Sequence, residues 1–357
     1  MPLFICPPPV NGLESQIHQQ MKLEREAFLA HIPAHMQEQQ ADAIRQALAG
    51  NFEALLSVRK SRNPQLVTSP GVEVCLISDH LRLYMPQQRT PQGKALPLLI
   101  YLHGGGWTFG SLNSCAKFCD ALAATGTCGV LAVDYRLAPD FPYPCALEDC
   151  LSAWHTALKK AETWGVDPHR ISIGGDSSGG NLAIATALRL ACNKENDRIV
   201  MPRSLLLFYP VTKAWADGSP SWQSYRSGYG LDSRLMETFN EAYAPDSQRR
   251  TLADISPALA SRELLGKMPR TLLVAAGRDI LSCQGADFIR QLEDAGVDAR
   301  RICFSEAAHL FITVDGQPTA FSQALNLSVE FLKESPTTFH WNDLKTERPI
   351  ESRSPIL

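Results

Sequence analysis

Gly175-Asp176-Ser177-Ser178-Gly179-Gly180 follows the apolar run Ile171-Ser172-Ile173-Gly174 and precedes a helix-forming stretch from Asn181 to Leu190. A serine at the corner between a strand and a helix narrows the choice of fold more than any other feature. Glycine two residues before it and two residues after it lets neighbouring backbones come close, so the hydroxyl projects from the top of a sheet at a helix N-terminus. The segment therefore reads as a nucleophile elbow.

Gly-x-Ser-x-Gly alone is also compatible with any glycine-rich turn between a strand and a helix. A second motif separates the readings. His103-Gly104-Gly105-Gly106-Trp107 comes directly after Leu98-Leu99-Ile100-Tyr101-Leu102, a buried-strand pattern, and matches a loop that supplies backbone amides to a developing oxyanion. From that geometry the expected donors are the amides of Gly104, Gly105 and Ser178.

Around these motifs the chain alternates. Strand-like runs fall at Val72 to Ile77, Leu81 to Tyr84, Leu98 to Leu102, Val130 to Asp134, Ile171 to Gly174, Leu205 to Tyr209, Thr271 to Ala275 and Arg301 to Phe304. From the third onward they are interleaved with helix-length segments, Ser114 to Ala124, Ala146 to Trp164, Asn181 to Cys192, Gln284 to Ala295 and Gln323 to Lys333. The pattern predicts an α/β fold, a mostly parallel sheet of about eight strands covered on both faces, with the first two runs as an antiparallel edge. Residues 66–210 and 266–334 carry this alternation and form the expected core. Residues 1–65, helical and polar-faced, and 211–265, rich in Trp, Tyr and Ser, do not fit it and are assigned to a cap over the strand ends. The rival reading of the N-terminal segment, an independent helical hairpin, suffers from too few apolar positions for a core of its own. Residues 335–357 are expected to be a loosely packed extension.

Composition limits the partners. A formal net charge of −3 and 20% charged residues suggest neither a nucleic-acid footprint nor a polybasic membrane patch, and a small neutral substrate fits better than a polyanion. Met1 to Val10 lacks the features of a secretory signal and no stretch is long enough to span a bilayer, so a soluble cytoplasmic protein is expected. The 10 cysteines contain no close Cys-x-x-Cys pair and read as buried reduced thiols, with no metal site evident.

A serine hydroxyl needs an imidazole to take its proton and a carboxylate to orient that ring. Of the 9 histidines, His18, His31 and His35 lie in the N-terminal helical segment, His80 in a turn, His155 within a helix and His340 in the tail. His169 precedes the strand that ends at the elbow, which puts it on the order of 20 Å away at ~3.3 Å per residue. His103 opens the glycine loop and suits a role in shaping it. His309, after the last strand run, stands where a base at the sheet top belongs. For the acid, Asp279 directly follows the seventh strand; Glu306 is a competitor but would have to fold back over three residues. Asp176 is expected to brace the elbow. The chain order is Ser177, Asp279, His309.

From about Leu98 to Phe311 these residues resemble the hormone-sensitive-lipase-like family of α/β-hydrolases, a group of bacterial carboxylesterases and acetyl esterases. Besides the two glycine motifs, Asp134-Tyr135-Arg136-Leu137-Ala138-Pro139, followed by Pro142 and Pro144, is similar to the family's segment after the fourth strand. The resemblance implies an α/β-hydrolase fold and hydrolysis of short-chain carboxylic esters, often acetyl esters, without metal or organic cofactor, under a helical cap. Pairing through the edge strand near Arg301 to Phe304 would make a homodimer. The chain departs from the family where Asp279-Ile280-Leu281 stands in place of Asp-Pro-Leu, and where Leu310 occupies a position that usually holds glycine. Trp107, Phe109, Trp215 and Tyr229 are candidates for lining the substrate pocket. Amide or lactone hydrolysis by the same triad, and a non-catalytic ligand-binding protein of the same fold, are the alternatives.

Overall fold

The computed structural model describes residues 12–66, 68–87, 95–192 and 200–333. The extension expected over 335–357 lies outside the described residues. Three helices open the chain, α1 (Gly12–His31), α2 (Met36–Leu48) and α3 (Glu53–Ser61), followed by β1 (Val72–Ser78), β2 (Leu81–Pro86) and β3 (Leu96–Leu102). Then come α4 (Ala116–Ala124), β4 (Gly129–Val133), α5 (Cys145–Trp164), β5 (Val166–Asp176), α6 (Ser178–Cys192) and β6 (Ser204–Phe208). Between β6 and β7 (Arg270–Arg278) an insertion carries α7 (Pro220–Ser224), α8 (Ser233–Tyr243), two short 3₁₀ turns and α9 (Arg262–Leu265). The chain continues through α10 (Ser282–Asp294), β8 (Ala299–Ala308) and α11 (Pro318–Lys333).

The sheet has 8 strands in the order β1-β2-β4-β3-β5-β6-β7-β8. The β1–β2 and β2–β4 pairs are antiparallel, and every other pair is parallel. This is the mostly parallel sheet of eight strands, with an antiparallel edge, expected from the pattern. Burial explains it: every residue of β3, β4 and β6 is buried, as strands covered on both faces require, whereas in β1, at the rim, only Val72 is buried. Along β3 the period of two sorts residues to opposite faces. Leu98, Ile100 and Leu102 join the cluster packed under α5 and α6, and Leu99 and Tyr101 the cluster under α4 and α11.

The N-terminal helices build no separate core. Ala41, Ile44 and Ala47 of α2 and Leu55 of α3 belong to the first cluster, and Met21 of α1 to the second. They also hold the insertion directly. The Asp232 N–H donates to Gln37 Oε1 at 2.7 Å, and Arg45 Nη2 donates to Thr238 Oγ1 at 3.1 Å. Since β3 and β5 to β8 run parallel, His103, Ser177, Asp279 and His309 all emerge at one edge of the sheet, near the insertion.

Candidate active site

Ser177 occupies the expected corner. β5 ends at Asp176, α6 begins at Ser178, and Ser177 has φ +53°, a left-handed conformation that a non-glycine residue adopts only under strain. The Ser177 N–H donates to the Phe208 carbonyl at 2.9 Å, and its carbonyl accepts from Asn181 and Val211. The flanking glycines are sterically required: a Cβ on Gly175 would lie 2.5 Å from the Leu102 carbonyl oxygen, and one on Gly179 only 2.0 Å from it.

His309 Nε2 lies 3.0 Å from Ser177 Oγ, and His309 Nδ1 lies 2.7 Å from Asp279 Oδ2. All three side chains are buried, the serine being the most accessible at 5%. With the ring proton on Nδ1 donated to Asp279, Nε2 is left to accept the hydroxyl proton. The other Asp279 oxygen accepts the Leu281 N–H at 3.0 Å. Ser221 of the insertion steadies this loop: its hydroxyl donates to the Ile280 carbonyl at 2.8 Å and accepts the Cys283 N–H at 3.1 Å. Gln317 does the same for the base, exchanging hydrogen bonds with the Ala308 backbone and donating to the His309 carbonyl. Leu310 has φ +74°, a conformation in which glycine would be unstrained.

Glu306, the competing acid, is committed elsewhere. It is 4% exposed, paired with Arg25 of α1, and accepts from Arg278 Nη2 at 2.5 Å. Burial alone would raise its carboxyl, but hydrogen bonds from Arg278 and Arg25 outweigh that and hold it below the usual range. His103 stacks on Tyr135 with ring centroids 4.3 Å apart and bonds through Nδ1 to the Gly104 carbonyl at 2.9 Å, shaping the glycine loop from below.

Two expectations about that loop need correction. The Gly104 N–H donates to Asp176 Oδ1 at 3.0 Å, so it is not free to meet an oxyanion. Asp176 is buried, burial pushes its carboxyl up, and its Oδ1 also accepts the Tyr101 hydroxyl; it braces the loop against the elbow. Among the described residues, the amides of Gly105 and Gly106 have no acceptor in the protein, and Ser178, first residue of α6, has no intrahelical one. The second correction concerns Trp107 and Phe109, which are 0% and 1% exposed. Trp107 stacks on Tyr243 at 4.5 Å and Phe109 meets Phe239 edge-on at 5.6 Å, so both rings fasten α8 to the loop instead of facing open space.

Tyr229 and Trp215 are half-buried in the insertion. Tyr229 packs edge-on against Tyr225 at 4.9 Å and immediately precedes Gly230, where an added Cβ would lie 3.5 Å from the His309 carbonyl oxygen. Trp215 makes no ring contact or hydrogen bond with the triad. Between the α1–α2 turn and the insertion lies a cleft lined by Ile32, Met36, Gln37, Gly228, Gly230 and Asp232, with none of the three triad residues in its lining. Tyr209, Ser221, Gln317, Arg25 and Arg278, which brace the acid and base loops, carry no motif of their own.

Comparison with known proteins agrees with this fold. Residues 99–313 match a family model described by the α/β hydrolase fold. An ethyl acetate hydrolase of Pseudomonas putida is 37% identical over 254 residues, 71% of this chain and 78% of that protein. An arylesterase of Saccharolobus solfataricus is 31% identical over 71% of this chain and 78% of its own length. Among solved structures, a carboxyl esterase of the mycorrhizal fungus Tuber melanosporum superposes with a TM-score of 0.67 at 30% identity, covering 74% of this chain and 87% of that one. The chain belongs to the α/β-hydrolase family, in its hormone-sensitive-lipase-like, carboxylesterase-type branch.

Proposed function

We propose that this protein is a serine carboxylesterase that hydrolyses short-chain carboxylic esters, acetyl esters among them, through an acyl-enzyme. The observation that carries the reading is the unbroken relay from Ser177 through His309 to Asp279, at 3.0 and 2.7 Å, beside backbone amides with no protein acceptor. His309 takes the Ser177 proton as the hydroxyl attacks the ester carbonyl, then returns it to the leaving alcohol; water repeats the cycle on the acyl-enzyme. The amides of Gly105, Gly106 and Ser178 would face the oxyanion, each worth about 3 kcal/mol in the transition state. The names of the relatives, an ethyl acetate hydrolase and an arylesterase, support esters as the substrate class.

In this reading the described part of the N-terminal segment, residues 12–65, and the insertion 211–265 form a cap, held together by the Asp232–Gln37 and Arg45–Thr238 hydrogen bonds. Pairing of two copies through β8, an outer strand of the sheet, would give a homodimer. Eight free thiols among the described residues fit a cytoplasmic location, whereas Cys303 is disulfide-bonded and argues for the opposite. No described helix is long and apolar enough to cross a membrane.

A panel of ethyl and aryl esters graded by acyl length, with lactones and anilides beside them, tests the activity in wild type and Ser177→Ala. The expected result is turnover highest on the shortest acyl groups and lost in the variant. Absence of ester turnover in the wild type, or survival of a tenth of it in Ser177→Ala, contradicts the reading.

A further inference from the structure

Tyr209, the first residue after β6, has no part in the relay, yet it grips the base from several sides. It is 2% exposed, and its ring centroid lies 4.4 Å from that of the His309 imidazole, tilted by 51°. The same ring meets Phe311 edge-on at 4.8 Å, and its phenol oxygen accepts the Ile312 N–H at 3.2 Å. Thus one side chain touches residues 309, 311 and 312 of the loop that carries the base. Its own backbone is fixed by donation to the Val274 carbonyl at 3.0 Å, in a left-handed conformation, φ +34°, that is uncommon for a bulky side chain. Strain of this kind persists only where the surroundings enforce it.

We infer that Tyr209 is a positioning residue for His309: its ring, packed against the imidazole and bonded to the loop beyond it, keeps the imidazole aligned between Ser177 and Asp279. The other groups around the base are accounted for. Asp279 faces it from the loop after β7, Ser177 from the elbow, and Asp176, at the end of β5, feels its charge. Gly230 brings only backbone from the insertion. On β8 itself Glu306 is neutralised by Arg25 and Arg278, with His18 Nε2 3.5 Å away. Burial keeps the Tyr209 phenol protonated, so it adds no charge.

This inference rests on His309 as the base, and the experiment separates the two. The full-length chain is compared as wild type, Tyr209→Phe, Tyr209→Leu and His309→Ala, measuring kcat and KM on p-nitrophenyl acetate, with thermal unfolding alongside. Tyr209→Phe keeps the ring and is expected to keep kcat within about threefold of wild type. Tyr209→Leu is expected to lower kcat about 10- to 100-fold with KM within about twofold, as a misaligned base does. A folded Tyr209→Leu with kcat and KM both unchanged, or a Tyr209→Phe that loses as much kcat as Tyr209→Leu, overturns the inference and leaves the ring as packing. If Tyr209→Leu does not fold, Tyr209→Met replaces it with the same two outcomes. Should His309→Ala retain a tenth of wild-type activity, the base assignment itself is what fails.

Discussion

The two halves of the candidate site are built by different means. On one side, at the ends of β3 and β5, the elbow and the glycine loop meet backbone to backbone. Gly175 and Gly179 lie against the Leu102 carbonyl, Gly104 is held by Asp176, and a Cβ on Gly105 would lie 2.4 Å from the Phe109 carbonyl oxygen. On the other side, at the ends of β7 and β8, the acid and base are held by side chains from distant parts of the chain. Arg25 reaches Glu306 across 281 positions of sequence, Arg278 meets the same carboxylate, and Tyr209 and Gln317 hold the base loop. The first half depends on atoms that must be absent, the second on charges and rings that must be present. Damage to the first should appear mainly as lost rate, and damage to the ion pairs of the second mainly as lost stability, Tyr209 being the exception because its ring touches the base itself.

The largest effect is expected from Gly105→Val. The glycine has φ +123° and no room for a side chain, so the loop must shift away from the oxyanion position. A fall in kcat of about 100- to 1,000-fold is expected, the range for losing one oxyanion donor, with a smaller change in melting temperature. Steady-state kinetics and thermal unfolding on the same sample check this; a variant that loses stability but keeps its kcat would break the contrast.

Glu306→Gln probes the opposite half. It leaves Arg25 and Arg278 side by side without their carboxylate, and a loss of about 3 kcal/mol in unfolding free energy is expected. The corresponding fall in kcat is expected to stay below about 10-fold, because no reacting atom is removed. The effect has a defined pH window. Since the folded protein holds this carboxyl below its ordinary value of 4.5, its contribution is fully present above that pH and is lost as pH falls through the lower folded value. Denaturant unfolding measured from pH 7 down to pH 3 should therefore show the gap between wild type and Glu306→Gln closing in acid. A constant gap would mean that the carboxylate charge is not what stabilises α1 on the sheet.

The smallest effect is expected at Leu310. Replacing it by glycine relieves a left-handed conformation that costs an L-residue about 1–2 kcal/mol, while adding freedom to the unfolded chain. Leu310→Gly should fall between unchanged and about 1 kcal/mol more stable. Its kcat should stay within about twofold. A loss of stability would show that the half-buried leucine side chain packs usefully in the base loop.

The same contrast explains what could be read from sequence. The elbow and the glycine loop are local: each rests on residues adjacent in the chain, and steric necessity writes glycine at fixed spacing, so Ser177 and the parallel sheet beneath it were legible. Asp279 and His309 could be found because strand alternation places them at the same sheet edge and chain order leaves few competitors. The bracing was not legible. Nothing near Arg25 announces that it meets Glu306, and Ser221 holds the Asp279 loop from a different element. Gly104 was misjudged for a related reason: its amide is taken by Asp176, 72 positions away, a bond that no local pattern reveals. Trp107 and Phe109 are candidates for pocket walls from sequence because aromatic residues beside a glycine loop suit either lining or packing, and only Tyr243 and Phe239 of α8 decide between them.

The account stands most directly on Ser177 being the hydroxyl that the imidazole activates. Intact-protein mass spectrometry after exposure to a small, serine-reactive phosphonate ester measures this, with Ser177→Ala and His309→Ala treated in parallel. One adduct per chain, mapped to Ser177, absent from the first variant and formed far more slowly in the second, is the predicted result. Equal labelling of wild type and Ser177→Ala, or labelling that does not depend on His309, would contradict it.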